Sequence, residues 1–374
     1  MFKSLLILFT LLLSLTEGGV GYEVSFIGGD LGPVRDISVT ALDGLYLAYT
    51  PPDENVTVVV SLSQELQERS SIRIDGLISP CVKAYHDTVY VAGIENEDIV
   101  LLGFNENLEM VKDFRFSVEE PTHVYVLPYE GGILLSYVHR FLEDGLLRQD
   151  VFLKKLDFSF NELTEVRLTN WDYWEDPCIV VNQGLIFVSY AIAPLYGFLD
   201  RHVVITILDS SLEVAGSIRY PKDASEGKNV VQPDMAVVDE GVILFCRMTD
   251  LDFSYSRFTW EGKIQVVPGN IHAVKLNKDL AIEKEFAITS DYEEHYEPCG
   301  VAAFERIYFA YSVDEEGMKK VQVIYADTVE QLKIEPPEEG SYTWVVGGVV
   351  VIGVVVAGLV VRRMRSKKTK KKQK

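Results

Sequence analysis

Two short stretches of this 374-residue chain, TNWDYWEDP and TSDYEEHYEP, interleave large aromatics with carboxylates. In the first, Trp171, Tyr173 and Trp174 alternate with Asp172, Glu175 and Asp176; in the second, Tyr292 and Tyr296 stand among Glu293, Glu294 and Glu297. Aromatic faces stack on the apolar faces of sugars and carboxylates accept hydrogen bonds from hydroxyls, so the pattern suits a carbohydrate. Clustered carboxylates and loop carbonyls also ligate Ca²⁺, the one cofactor the composition leaves open, although no EF-hand or nonapeptide calcium motif is present. A third reading needs no ligand, because large aromatics commonly bury against neighbouring elements.

The cysteines pose a second question. There are four, Cys81, Cys178, Cys246 and Cys299. Cys81, Cys178 and Cys299 fall in one column of an internal alignment, where the other repeats carry Ile37, His123 and Asp234. Three thiols around an axis, with His123 as a further ligand, would suit a metal; as small apolar groups they would equally fill tight space between sheets. Neither CxxC nor HxxxH spacing supports the metal. Cysteines on alternate units lie beyond the Cα separation of about 7 Å that a disulfide tolerates, so free, buried thiols are expected. No Ser-His-Asp elbow, P-loop or dinucleotide glycine fingerprint occurs in a suitable context.

The elements that must position these residues recur. Six segments open near residues 34, 79, 121, 176, 232 and 297: VRDISVTALDGLYLAYT, SPCVKAYHDTVYVAG, PTHVYVLPYEGGILLSY, DPCIVVNQGLIFVSY, QPDMAVVDEGVILFC and EPCGVAAFERIYFAY. Each leads to a further strand (VTVVVSL, DIVLLGF, DVFLKKL, HVVITIL, IHAVKL, KVQVIYA) and then through a polar turn (SQEL, NENL, FNEL, DSSL, NKDL, TVEQL) to a fourth short piece. Alternation and β-branched enrichment make these strands, and four strands per unit repeated six times is the signature of an all-β, six-bladed β-propeller over residues 22–333. The segment YEVSFIGG, Tyr22 to Gly29, is expected to supply the outer strand of the last blade, since an open ring would leave an unpaired edge.

In such a ring the loops divide between two faces. The first-to-second and third-to-fourth turns (LDG, HD, NQG, DEG, FER) are short, whereas VHRFLEDGLLRQD, AIAPLYGFLDR, RMTDLDFSYSRFTWEGKIQVVPGN and both aromatic-acidic crossings fall on the opposite face. Loops on a rigid scaffold are where binding resides, so that face is the candidate interface.

The segments RDISVTALDGLYLAY, EDPCIVVNQGLIFVSY and EPCGVAAFERIYFAY resemble the blade-opening strands of arabinanase-like and invertase-like propeller glycosidases. The resemblance implies Asp36 as base, Asp176 as the orienting carboxylate and Glu297 as proton donor, a set with which glycoside hydrolysis proceeds. It departs from the family pattern in having six units rather than five, Ile37 where Pro follows the Asp, and no Gly before Pro298. The sialidase Asp-box pattern is missing.

At the ends, MFKSLLILFTLLLSLTEGGVG (1–21) has the layout of a secretory signal. WVVGGVVVIGVVVAGLVV (344–361) is uncharged and long enough for one transmembrane helix, preceded by a stalk at 334–343. The final thirteen residues, 362–374, carry nine Lys or Arg, which keeps that tail cytoplasmic and the propeller outside the cell membrane, in a type I arrangement. Residues 22–361 carry twenty-five Lys and Arg against fifty-five Asp and Glu, near −30, which argues against nucleic acid. The expected partners are the membrane and a glycan or surface protein. Recognition of such a ligand, a membrane-tethered glycosidase and a structural surface component are the functions that remain.

Overall fold

The computed structural model describes residues 24–25, 35–51, 54–64, 67–143, 146–170, 173–193, 202–221, 228–238, 241–250, 270–289, 294–303, 306–315 and 318–326. The chain divides into two units, residues 1–334 and 335–374. The expected signal, stalk, membrane span and basic tail lie outside the described residues, among which no helix is long and apolar enough to cross a membrane.

The fold is an all-β propeller. After β1 (Val24–Ser25), strands β2 (Arg35–Ala41), β3 (Leu45–Thr50), β4 (Val56–Leu62) and β5 (Glu68–Asp75) form one antiparallel sheet; β6 (Ile78–Tyr85), β7 (Thr88–Glu95), β8 (Asp98–Phe104) and β9 (Met110–Ser117) form the next. An eight-stranded sheet follows, from β10 (Pro121–Tyr129), β11 (Gly132–Glu143), β12 (Leu146–Leu156) and β13 (Glu162–Arg167), then β14 (Tyr173–Asn182), β15 (Leu185–Ala193), β16 (His202–Leu208) and β17 (Val214–Tyr220). The fourth sheet is β18 (Lys228–Val238), β19 (Gly241–Asp250), β20 (Asn270–Asn277) and β21 (Ile282–Ala287); the fifth is β22 (Glu294–Ala303), β23 (Arg306–Glu315) and β24 (Met318–Ala326) with β1 at its edge.

The expectation of six separate blades is thus corrected to five hydrogen-bonded sheets. The units opening at Pro121 and Asp176 share one sheet because β12 and β14 meet in a single parallel bridge, Gln149 to Tyr173. The innermost strands nevertheless pack in a closed cycle, β2 on β6, β6 on β10, β10 on β14, β14 on β18, β18 on β22 and β22 on β2. Val24 and Ser25 pair with Val323 and Gln322, so the N-terminal strand completes the last sheet as expected.

Burial explains why the inner strands read as nearly continuous apolar runs. Sheets stacked around an axis cover both faces of their inner strands, and all of β3 and β4 is buried. At the rim, β5 and β9 alternate exposed and half-buried residues. The hairpins on the outer side share a side-chain cap: Oδ1 of Asn105, Asp157, Asp209 and Asn277 each accepts two backbone N–H groups at 2.8–3.0 Å. In the third unit this turn is Asp157–Asn161, starting three residues before the expected FNEL. The fourth residue of each turn, Leu108, Phe160, Leu212 or Leu280, has φ of 60–66° and is buried, so apolar packing offsets the strain.

Candidate functional site at the channel mouth

Every inner strand breaks register at one place near its start, between Arg35 and Ser38, Ile78 and Cys81, Pro121 and Val124, Glu175 and Cys178, Val231 and Asp234, and Tyr296 and Cys299. Proline fits such a bulge because no ladder hydrogen bond needs its missing N–H, which accounts for Pro80, Pro177, Pro233 and Pro298. Ser79, Asp176 and Gln232, each just before a proline, have φ of 51–53°. Three non-glycine residues held in the left-handed region at equivalent positions concentrate strain at one end of the channel, as ligand-holding sites do.

These bulges surround a cavity of about 210 Å³ lined by Ser79, His123, Asp176, Gln232 and the prolines at its rim and by Cys81, Tyr125 and Asp234 deeper in. His123 Nε2 lies 3.0 Å from Asp176 Oδ1, joining neighbouring inner strands, and both side chains are half-exposed. Asp36 and Glu297 occupy the same bulge position as Asp176 in their own strands, which settles the backbone register of the three expected catalytic carboxylates; the side chains of Asp36 and Glu297 lie outside the described residues. So do the aromatics: Trp171 and Tyr292 entirely, and the side chains of Tyr173, Trp174 and Tyr296. Two threonines anchor the segments leading to them. Thr169 Oγ1 accepts Val151 N–H and Thr289 Oγ1 accepts Ile271 N–H, each at 2.9 Å. Register also places the ends of β15 and β19, where long loops leave, beside the starts of β14 and β18, at the mouth.

Known structures share this architecture. The chain is similar to a neuraminidase-like protein of A/bat/Guatemala (9% identity over 84% of this chain and 93% of that one, TM-score 0.54). It is similar to Penicillium chrysogenum alpha-L-arabinanase complexed with arabinobiose (12%, 82% and 98%, 0.54). Trypanosoma rangeli sialidase in complex with the inhibitor DANA matches at 10%, over 83% and 60%, with 0.54. The chain is a β-propeller resembling propeller glycosidases. No family model and no curated protein matches it.

Below the mouth, a ring of side chains stitches the inner strands together. Val82 N–H donates to Ser38 Oγ at 3.1 Å, Val126 N–H to Cys81 Sγ at 3.4 Å, Met235 N–H to Cys178 Sγ at 3.2 Å and Gly300 N–H to Asp234 Oδ2 at 2.9 Å. Inner strands of adjacent units form no ladder with each other, so each of these buried N–H groups requires an acceptor from the preceding strand. The cysteine column is therefore Ser38, Cys81, Tyr125, Cys178, Asp234 and Cys299: Ile37 and His123 are displaced from it by one and two residues, because the first and third bulges lack the proline that marks the place elsewhere and the third falls one residue earlier relative to the column. His123 belongs to the mouth. All four cysteines are free and buried, and among the described residues no group of three His, Cys, Asp or Glu could hold a metal ion.

Asp234 Oδ1 also accepts from Tyr125 Oη at 3.1 Å and Cys178 Sγ at 2.9 Å. Burial, then the Asp234 charge, pushes the Cys178 thiol well above its ordinary pKa. Gly300 permits the close approach, since a Cβ there would meet the Phe245 ring at 2.4 Å. One residue had no reading from sequence. Lys83, a lone cation in the apolar strand β6, is buried with Nζ 3.4 Å from Val39 O and 4.8 Å from the Tyr125 ring centroid.

Proposed function

We propose that this chain is a membrane-anchored surface protein with a six-bladed propeller, the eight-stranded sheet counting as two blades, that recognises a carbohydrate end group at the channel mouth. The observation that carries it is the His123–Asp176 pair set in a rim of strained bulges over a small, water-accessible funnel. Imidazole and carboxylate supply donor and acceptor groups for vicinal hydroxyls, with Ser79 and Gln232 alongside. A volume near 210 Å³ is below the roughly 300–1,000 Å³ of pockets that enclose drug-sized ligands, which suits one terminal sugar rather than a chain. The crossings bearing Trp171, Trp174 and Tyr292 would extend the contact.

The equivalent positions of Asp36, Asp176 and Glu297 support a second reading as a tethered glycoside hydrolase, with base, orienting carboxylate and acid in that order. The purified full chain on a glycan array, alone and as Trp171→Ala and Trp174→Ala, tests recognition. Binding that weakens in the variants is expected; unchanged binding in both removes those aromatics, and no signal on any glycan contradicts a carbohydrate and favours a protein partner. Hydrolysis of the bound glycan that disappears in Glu297→Gln would establish the second reading.

A further inference from the structure

The first aromatic-acidic crossing is tied at both ends to consecutive residues of β12. On one side, Thr169 Oγ1 donates to Asp150 Oδ1 at 2.8 Å and accepts Val151 N–H at 2.9 Å, while Leu168 N–H donates to Val151 O at 2.9 Å. On the other side, Tyr173 meets Gln149 in the parallel bridge. Only residues 170–172, with Trp171 in the middle, separate the two anchors in sequence. Both attachments therefore fall within one residue of Asp150, which is fully buried.

Asp150 is itself fixed by a charge. Its Oδ2 accepts from Nε of Arg167 at 3.0 Å and from Nη2 as well. The same guanidinium reaches Asn170 Oδ1 at 3.4 Å and lies 5.1 Å from the Phe141 ring centroid, so it bridges the buried carboxylate and the first residue of the crossing. A buried ion pair adds little net stability over well-packed apolar residues of the same volume. What it adds is geometry, through short and directional charge-assisted hydrogen bonds.

The second crossing supplies the contrast. Thr289 Oγ1 accepts Ile271 N–H just as Thr169 accepts Val151 N–H, but Asn270 stands where Asp150 does and Ala287 where Arg167 does. The threonine anchor alone thus closes a crossing, and the charged clamp belongs to the one that carries Trp171 and Trp174.

We infer that Asp150 is a positioning residue for recognition at the mouth: through Thr169 and Arg167 it sets the crossing so that Trp171 is presented in one arrangement before a ligand arrives. The inference rests on the recognition reading above and adds to it a buried residue that acts only through others. A contact side chain ordered in advance avoids the ordering cost of binding, which corresponds to about two- to tenfold in affinity.

The test reads the glycan array at graded concentrations of the full chain in lipid nanodiscs, together with amide exchange by mass spectrometry over residues 168–173 and 288–293. Asp150→Asn and Thr169→Val are expected to weaken apparent affinity by about three- to tenfold, Thr169→Ser, which keeps the hydroxyl, to retain it, and neither weakening to appear once Trp171 is Ala. Exchange over 168–173 should quicken by about threefold or more in Thr169→Val, with 288–293 unchanged. If Asp150→Asn does not fold, the Thr169→Val and Thr169→Ser pair decides. Wild-type affinity in Thr169→Val, or the same loss with Trp171 as Ala, overturns the proposal. Trp171→Ala binding like wild type, or no glycan bound at all, is instead a failure of the recognition reading. Exchange then judges the clamp by itself: quickening confined to 168–173 upholds the positioning of the crossing, and unchanged exchange overturns it.

Discussion

Cys178 Sγ donates to Asp234 Oδ1 at 2.9 Å while accepting Met235 N–H at 3.2 Å, so one thiol ties the inner strand β14 to β18 through both a side chain and the backbone. Asp234 in turn gathers Tyr125, Cys178 and Gly300, from three different inner strands. Replacing it with Ala leaves three buried donors without an acceptor. At about 1–3 kcal/mol for each orphaned group, Asp234→Ala is expected to lose at least about 3 kcal/mol in denaturant unfolding, against about 1 kcal/mol for Tyr125→Phe. Equal, small losses would show that the carboxylate does not hold the ring.

The same burial fixes the alkaline limit of the fold. Burial raises the thiols of Cys81, Cys178 and Cys246 above the ordinary value of 9.0. Above that pH the unfolded chain loses protons that the folded chain keeps, so stability falls as pH rises. Lys83 acts in the same direction. Burial opposes its charge, but the Asp234 carboxylate raises it above 10.5, so its contribution is whole below that value and is lost as pH rises through the folded pKa. Calorimetric Tm should decline from about pH 9 upward, by at most about 1.4 kcal/mol of stability per pH unit and thiol. A flat profile to about pH 10.5 would contradict the buried, protonated thiols.

Thiol titration gives a separate check. An aromatic disulfide reagent should find none of the four cysteines in the native chain and all four after denaturation without reductant, because all are free and buried. Fewer than four after denaturation would mean a disulfide or a modified thiol.

The outer hairpins should behave as independent caps. Asn105 and Asn277 each hold two N–H groups in turns far apart in the ring. Asn105→Ala and Asn277→Ala should each cost about 1 kcal/mol, as removal of a side-chain cap does, and the double variant about twice that. Strong non-additivity would indicate that the two sheets unfold through a shared local step.

Much of this was legible in the sequence because repetition reports architecture. The repeated openings, the polar turns NENL, DSSL and NKDL and the closing role of the N-terminal segment were readable from spacing and alternation alone, whereas the third turn was read three residues late, as FNEL for Asp157–Asn161. The residue-Pro-Cys pattern was visible too, but its meaning as a bulge was not: units one and three carry the bulge without its proline, and in the third it falls one residue earlier, so alignment by eye put Ile37 and His123 where Ser38 and Tyr125 belong. The fusion of two units into one sheet turns on the single Gln149–Tyr173 bridge, which the crossing sets and no local propensity encodes. The acceptor role of the column did have a signal, since Ser, Cys and Asp share the capacity to accept an N–H. Lys83 had one as well, a lone charge in SPCVKAY, which strand patterning passed over.

Recognition at the mouth through the His123–Asp176 pair is tested most directly by calorimetric titration of the full chain with its best array glycan. His123→Ala and Asp176→Asn should each weaken binding by about tenfold or more, the loss of one hydrogen bond to a charged group, while Asn277→Ala in a remote turn leaves it unchanged. Wild-type affinity in both mouth variants would place recognition elsewhere on the ring.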